Sequence, residues 1–165
     1  MKKLSFEFGQ FCKKNNLKVA TAESCTAGLI GASIAMTPGS SAWLDRGFIV
    51  YTAEAKNEVL GVLRETIDEH DITSVNVAHE MALGALRESK ANLSLAVTGL
   101  AGPGGGTEDI PVGTVCMAWA YKNPSGKKTV MLERRLFEGD RNEIREAVVA
   151  FMLTETIATF DRLSA

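Results

Sequence analysis

Hydroxyl side chains on glycine-punctuated loops, one lysine and one arginine are the groups in this chain whose types and spacing could do chemistry. Glu23-Ser24-Cys25-Thr26-Ala27-Gly28 joins an apolar stretch to a run of small residues, so it reads as a strand-to-helix turn. Free N–H groups at a helix start, beside the Ser24 hydroxyl, suit an anion or an oxyanion. Ser24 or Thr26 could equally serve as a plain helix cap. Gly39-Ser40-Ser41 is a second hydroxyl loop, followed by Tyr51 and Lys56. A serine nucleophile needs a base; a desolvated lysine loses its proton readily, and a tyrosine can relay one. Spacing does not choose among Ser24, Ser40 and Ser41 as the nucleophile. A third segment, from Val97 to Thr107, carries Thr98 and the glycines Gly99, Gly102, Gly104, Gly105 and Gly106. Such a loop lets the backbone approach a ligand closely and present a nest of N–H groups. It lacks the Gly-Lys-Ser/Thr of a P-loop and does not open a helix as a dinucleotide fingerprint does. In the fourth segment, Arg141 and Arg145 lie four apart on one helix face. A cation in a first turn opposes the helix dipole, so Arg141 asks for an anion: a substrate phosphate, or the nearby Glu138 or Asp140.

Other chemistries find little support. His70 and His79 are the only histidines, and both sit in polar company away from the serine loops, which disfavours a Ser-His-Asp triad. Cys25 has no histidine nearby to activate it, while Cys12 and Cys116 lie in apolar patterns that predict burial. The three cysteines fit no zinc spacing, so neither a metal nor another cofactor is expected. A net charge of −2 gives no basic footprint for nucleic acid. No apolar run is long enough to span a membrane, and Met1-Lys2-Lys3-Leu4-Ser5-Phe6-Glu7 has no signal core behind its lysines, so the expected location is the cytoplasm. An apolar share of 45% over 165 residues is enough for one ordinary globular domain, residues 1–165.

The elements that must position these groups follow from periodicity. Leu4, Phe8, Phe11 and Cys12 predict a first helix, residues 17–22 a strand, 26–36 a helix packed closely on a sheet, and 46–52 a second strand. Residues 53–70 predict a helix interrupted near Gly61, followed by a helix capped by Ser74. Strands are predicted at 93–97, 114–121 and 128–137, the last two joined by an Asn123-Pro124-Ser125-Gly126 turn. Asp140 and Glu143 form a capping-box pattern for a last helix from Arg141 to about Leu163. Early βα alternation with a late hairpin predicts an α/β fold: a three-layer α/β/α sandwich around a mixed, mostly parallel sheet of about five strands.

Taken together, AESCTAG at 22–28, TPGSSAW at 37–43, YTAEAK at 51–56, AHEMALGA at 78–85, TGLAGPGGG at 98–106, PVGTV at 111–115 and FEGDR at 137–141 resemble a known family. It is the C-terminal domain of the competence-damage-inducible protein A family, which includes stand-alone nicotinamide-nucleotide amidases. The resemblance implies hydrolysis of nicotinamide mononucleotide to the nicotinate nucleotide and ammonia, with the same sandwich fold and a homodimer. It implies Ser41 as nucleophile and Tyr51 with Lys56 as its proton-handling pair. It also implies Ser24 and Thr98 as oxyanion or orienting groups and Arg141 as a substrate contact, with Gly39, Ser40, Gly102, Gly104 and Gly105 in the binding loops. The sequence departs from the family pattern at Ala27, where a glycine is frequent, and at Asp71, a glycine position expected to lie away from the site. The larger N-terminal domain of longer relatives has no counterpart here, so only the amidase activity is expected. A nucleotide-binding module without turnover and an accessory protein in competence or DNA damage are the alternative functions.

Overall fold

A computed structural model describes all of residues 1–165. Helix α1 (Lys2–Lys14) leads into strand β1 (Val19–Glu23), helix α2 (Leu29–Ala35), a 3-10 turn (Ser40–Ala42) and strand β2 (Leu44–Ile49). Three helices follow: α3 (Ala53–Leu60), α4 (Arg64–His70) and α5 (Val75–Arg87). Strands β3 (Leu93–Gly99), β4 (Thr114–Lys122) and β5 (Lys128–Leu136) precede helix α6 (Arg141–Ser164). The sheet runs β2-β1-β3-β4-β5. Strand β1 is parallel to both of its neighbours, whereas β4 is antiparallel to both of its own. Only β4 is therefore reversed, and the expected mixed five-stranded sheet between helical layers is the fold observed.

Strand alternation explains why the two helical layers differ. On one face Val19, Leu93, Leu95, Val97, Val115, Met117 and Trp119 pack large side chains against α1, α2 and α6. On the other, Ala20, Ala22, Ala96, Cys116, Ala118 and Ala120 present a small-residue floor to α5 and α3. Successive strand residues point to opposite faces, so this division is written directly into VATAE and CMAWA. The small floor lets α5 sit low on the sheet, and α3 in turn approaches α5 at Gly84. A Cβ built at Gly84 would collide with the Leu60 backbone carbonyl, an oxygen that also accepts Arg87 Nη2 (2.8 Å). Gly61, at φ +66°, ends α3 in the left-handed region that favours glycine.

The element boundaries differ from expectation at two places that matter. Helix α2 starts at Leu29 rather than Thr26, because Ala27 (φ 48°) and Gly28 (φ 94°) are both left-handed. Strand β2 ends at Ile49 rather than Thr52. Its partner β1 ends at Glu23, whose carbonyl accepts Val50 N (2.9 Å), and Thr52 then caps α3 by accepting from Ala55 N. The interruption near Gly61 separates α3 from α4 as expected.

Because α3 carries Lys56, its contact with α5 bears on the site. Gly84→Ala is expected to destabilise the protein by about 2 kcal/mol through overpacking. A thermal melt would read this as a fall of several degrees, and an unchanged midpoint would show that the helix contact is not limiting.

Candidate active site

Residues that follow the parallel strands gather at one end of the sheet. Ser24 follows β1, Val50 and Tyr51 follow β2, and Leu100 follows β3. Open α/β sheets place their ligands beyond the carboxyl ends of such strands. The turn after β1 is shaped by Glu23, a carboxylate only 1% exposed. Its Oε2 accepts Thr26 Oγ1 (2.7 Å), Gly28 N (3.0 Å) and Ile30 N (3.0 Å), and its Oε1 accepts Gly31 N (2.9 Å). The carboxylate thus occupies the start of α2, which sequence alone assigned to a Ser24 or Thr26 cap or to an external anion. Cys25 and Thr26 keep amides that take part in no backbone hydrogen bond.

Lys56 is 0% exposed. Its Nζ donates to Ser24 Oγ (2.9 Å) and to the Val50 carbonyl (2.9 Å). Burial lowers its pKa from an ordinary 10.5 to about 8, with a smaller opposing effect of Cys25. The cause is desolvation, which penalises the charged form. A lysine of this kind yields a substantial neutral fraction near neutrality and can act as a base. Cys25, the next residue along, is pushed by burial up to about 11, so its thiol stays protonated and unreactive.

A cavity of about 240 Å³ opens beside this pair. Ser24 and Cys25 form its floor, Ile72, Thr73 and Thr98 one side, Leu100–Gly102 and Gly104 another, and Tyr51 with Arg141 its mouth. Tyr51 is 51% exposed, and its hydroxyl accepts Arg141 Nη2 (2.7 Å). Arg141 Nη1 donates to the Gly102 carbonyl (2.7 Å). Tyr51 is therefore paired with Arg141, not with Lys56, and Arg141 makes neither of the ion pairs considered for it. Thr98 lines the cavity, and its hydroxyl donates to the Ile72 carbonyl (2.9 Å), which braces that wall and leaves the oxygen free to accept from a ligand. Asp71 proves to adjoin the site, contrary to expectation, because Ile72 and Thr73 directly after it line the cavity. It adopts φ 71° and ψ 152°, a strained conformation for a non-glycine residue, with its Oδ1 accepting Thr73 N (2.8 Å).

Ser41 lies elsewhere. It is exposed, and its carbonyl accepts Lys18 Nζ (3.1 Å) at the residue just before β1. Residues 18 and 24 bracket that strand, which at about 3.3 Å per residue puts Ser41 roughly 20 Å from the Ser24–Lys56 pair. The reason is topological. Helix α2 returns the chain to the amino end of the sheet before parallel β2 begins. Gly39 and Ser40 share this displacement, and Gly105 stands outside the cavity lining as well. The expectation that pairs Ser41 with Lys56 is thus corrected: this fold brings Lys56 to Ser24.

Three contributors were not anticipated from sequence: the Glu23 carboxylate, the Val50 carbonyl and the Ile72–Thr73 wall. Glu23 carried a usable signal, an acidic residue directly ahead of a helix start. The others depend on contacts between distant elements. No group of three or more His, Cys, Asp or Glu side chains is placed to hold a metal ion, and no helix is long and apolar enough to cross a membrane.

The family model of the CinA C-terminal domain matches residues 1–160. The chain is 42% identical over 150 residues to the nicotinamide-nucleotide amidohydrolase PncC of Escherichia coli (strain K12), spanning 91% of this chain and 88% of that one. The protein of the same name from Enterobacter agglomerans is 42% identical over 157 residues, spanning 95% and 93%. Among solved structures, the competence/damage inducible protein CihA of Agrobacterium tumefaciens superposes with a TM-score of 0.86 at 42% identity, covering 95% of this chain and 93% of that one. The CinA superfamily protein KP700603 of Klebsiella pneumoniae 700603 gives 0.90 at 28% identity, covering 98% of each.

The buried lysine has a consequence for stability. Its folded pKa of about 8 lies below the ordinary 10.5, so between these values the unfolded chain binds more protons and stability rises with pH. Below about pH 8 the penalty is fully present; the shift from 10.5 to about 8 corresponds to about 3 kcal/mol. Relative to a Lys56→Met variant, the wild-type protein is expected to gain about that much between the two pKa values. Denaturant unfolding at matched ionic strength measures it. A constant difference between the two proteins across this window would show that Lys56 titrates normally.

Proposed function

We propose that this chain, which belongs to the CinA C-terminal domain family, is a nicotinamide-nucleotide amidase working through a Ser24–Lys56 pair. Its substrate would be nicotinamide mononucleotide, converted to nicotinate mononucleotide and ammonia. The observation that carries the chemistry is the buried 2.9 Å contact between Lys56 Nζ and Ser24 Oγ at the floor of the cavity. The similarity to the PncC amidohydrolases supports the substrate class.

Neutral Lys56 takes the Ser24 proton as Oγ attacks the carboxamide carbon. The Cys25 and Thr26 amides, which enter no backbone hydrogen bond, would donate to the resulting oxyanion. The Lys56 ammonium then returns the proton to the amide nitrogen as the C–N bond breaks and ammonia leaves. Lys56 then takes a proton from water as it attacks the acyl–serine ester, and returns that proton to Ser24 Oγ as the ester bond breaks. The acid leaves as a carboxylate, with its own proton lost to solvent. The Val50 carbonyl fixes the direction of the Lys56 amine throughout. Ile72, Leu100 and Ala101 offer apolar surface to a pyridine ring, and Arg141 at the mouth suits the nucleotide phosphate. No step uses a metal or another cofactor, so turnover is expected to persist after chelation. A homodimer and a cytoplasmic location, implied by the family resemblance, complete the proposal.

Ammonia release from nicotinamide mononucleotide by the purified protein is the test. Ser24→Ala and Lys56→Met are each expected to lower kcat by at least about 10³-fold, whereas Ser41→Ala retains near-full activity. The rate should rise with pH through about 8 as Lys56 loses its proton. Full activity in Ser24→Ala, or loss confined to Ser41→Ala, would sink the assignment.

A further inference from the structure

Arg145 sits one helical turn beyond Arg141 on α6 and reaches the turn that carries Ser24. Its Nε donates to the Cys25 carbonyl (3.1 Å) and its Nη2 to the Thr26 carbonyl (3.1 Å), while Nη1 donates to Asn142 Oδ1 (3.1 Å). These are the two carbonyls directly after the proposed nucleophile. On its other side the turn is held by the Glu23 carboxylate, through Thr26 Oγ1 and the amides beyond it. We infer that Arg145 is a positioning residue for catalysis, which fixes the Cys25–Thr26 and Thr26–Ala27 peptide planes and so aims the Thr26 amide as an oxyanion donor.

The argument is geometric. In a planar trans peptide, the N–H points opposite to the C=O of the same unit. With the Cys25 carbonyl drawn to Arg145, the Thr26 N–H is turned away from it. With the Thr26 carbonyl drawn the same way, the Ala27 N–H is turned back, and it does donate to the Ser24 carbonyl (3.0 Å). Arg145 therefore acts on both sides of the reacting hydroxyl: it leaves the Thr26 amide unengaged by the backbone, and it tightens the hydrogen bond that closes the turn on Ser24. A planar guanidinium with several donors at fixed angles suits two adjacent carbonyls, whereas a lysine ammonium reaches one of them well. The left-handed Ala27 makes this turn costly to hold otherwise. Since Arg141 lines the cavity and Arg145 grips the turn, the first turns of α6 register the mouth of the site to its nucleophile.

This inference rests on the amidase reading, and its test separates the two. In Arg145→Ala, kcat for nicotinamide mononucleotide is expected to fall about 100-fold while KM changes less than about threefold, the signature of misplacement without lost binding. The rise of rate through about pH 8 should keep its position, because Lys56 is untouched. Arg145→Lys should recover part of the loss, and millimolar methylguanidinium should rescue the alanine variant. Hydrogen exchange at the Ala27 amide reads the clamp without turnover, and is expected to quicken at least tenfold in Arg145→Ala. A kcat within threefold of wild type, a loss carried by KM, or unchanged Ala27 protection would each overturn the inference. If the wild-type protein releases no ammonia, the amidase reading fails, and the exchange measurement still decides whether Arg145 holds the turn.

Discussion

An ammonium held out of water with a hydroxyl and a carbonyl as its hydrogen-bond partners is the constraint around which this molecule is organised. Lys56 donates to Ser24 and Val50, and two hydrogen bonds to neutral oxygens do not replace the hydration of a charged group. That imbalance moves its pKa toward neutrality and makes a lysine usable as a base. It also requires rigid surroundings, since any opening that admitted water would restore the ordinary pKa. The parts of the fold that touch Lys56 are accordingly braced. The Leu60 carbonyl is pressed against Gly84 and gripped by Arg87, and Val50 is tied to β1 by its amide.

The asymmetry of the sheet serves the same end. An alanine-rich face brings α5 low, and α3 descends with it, so that a side chain four residues into α3 can reach the end of β1. Bulky residues fill the opposite face, where α6 packs. From that side α6 sends Arg141 to the cavity mouth and Arg145 to the turn below it. The site thus lies where both helical layers reach past the carboxyl ends of the parallel strands, one contributing a lysine and the other two arginines. The lysine is buried and discharged readily; the arginines are bound to carbonyls.

Much of the fold was legible in the chain. The LKVATA and LSLAV strand patterns, the Asp140–Glu143 capping box and the break at Gly61 all report local preferences, and each appears in the structure, the first strand shifted to Val19–Glu23. The site was less legible. Lys56, Ser24, Thr98 and Arg141 were singled out by residue type and by family likeness, but their partners were not. Sequence does not show that the Thr98 hydroxyl donates to the Ile72 carbonyl. Asp71 reads as remote until the connector that follows it is seen to line the cavity. In each case the deciding partner lies more than twenty positions away or beyond a turn, where residue spacing carries no information.

The serine remains the clearest division between the two sources. By itself the sequence left a hydroxyl nucleophile with a lysine, tyrosine or carboxylate base as the available chemistry, because histidine was poorly placed and the cysteines lay in apolar or unactivated settings, and only the family likeness singled out the lysine. It also determined the βα order that makes a parallel sheet. Which serine meets the lysine was decided only by tertiary structure. In a parallel sheet, residues that leave a strand and residues that enter the next one lie at opposite ends, so Ser24 stands at the site and Ser41 roughly a strand length from it. Only the packing of α3 onto α5 then brings Lys56 to Ser24 and removes the water that would otherwise keep it charged.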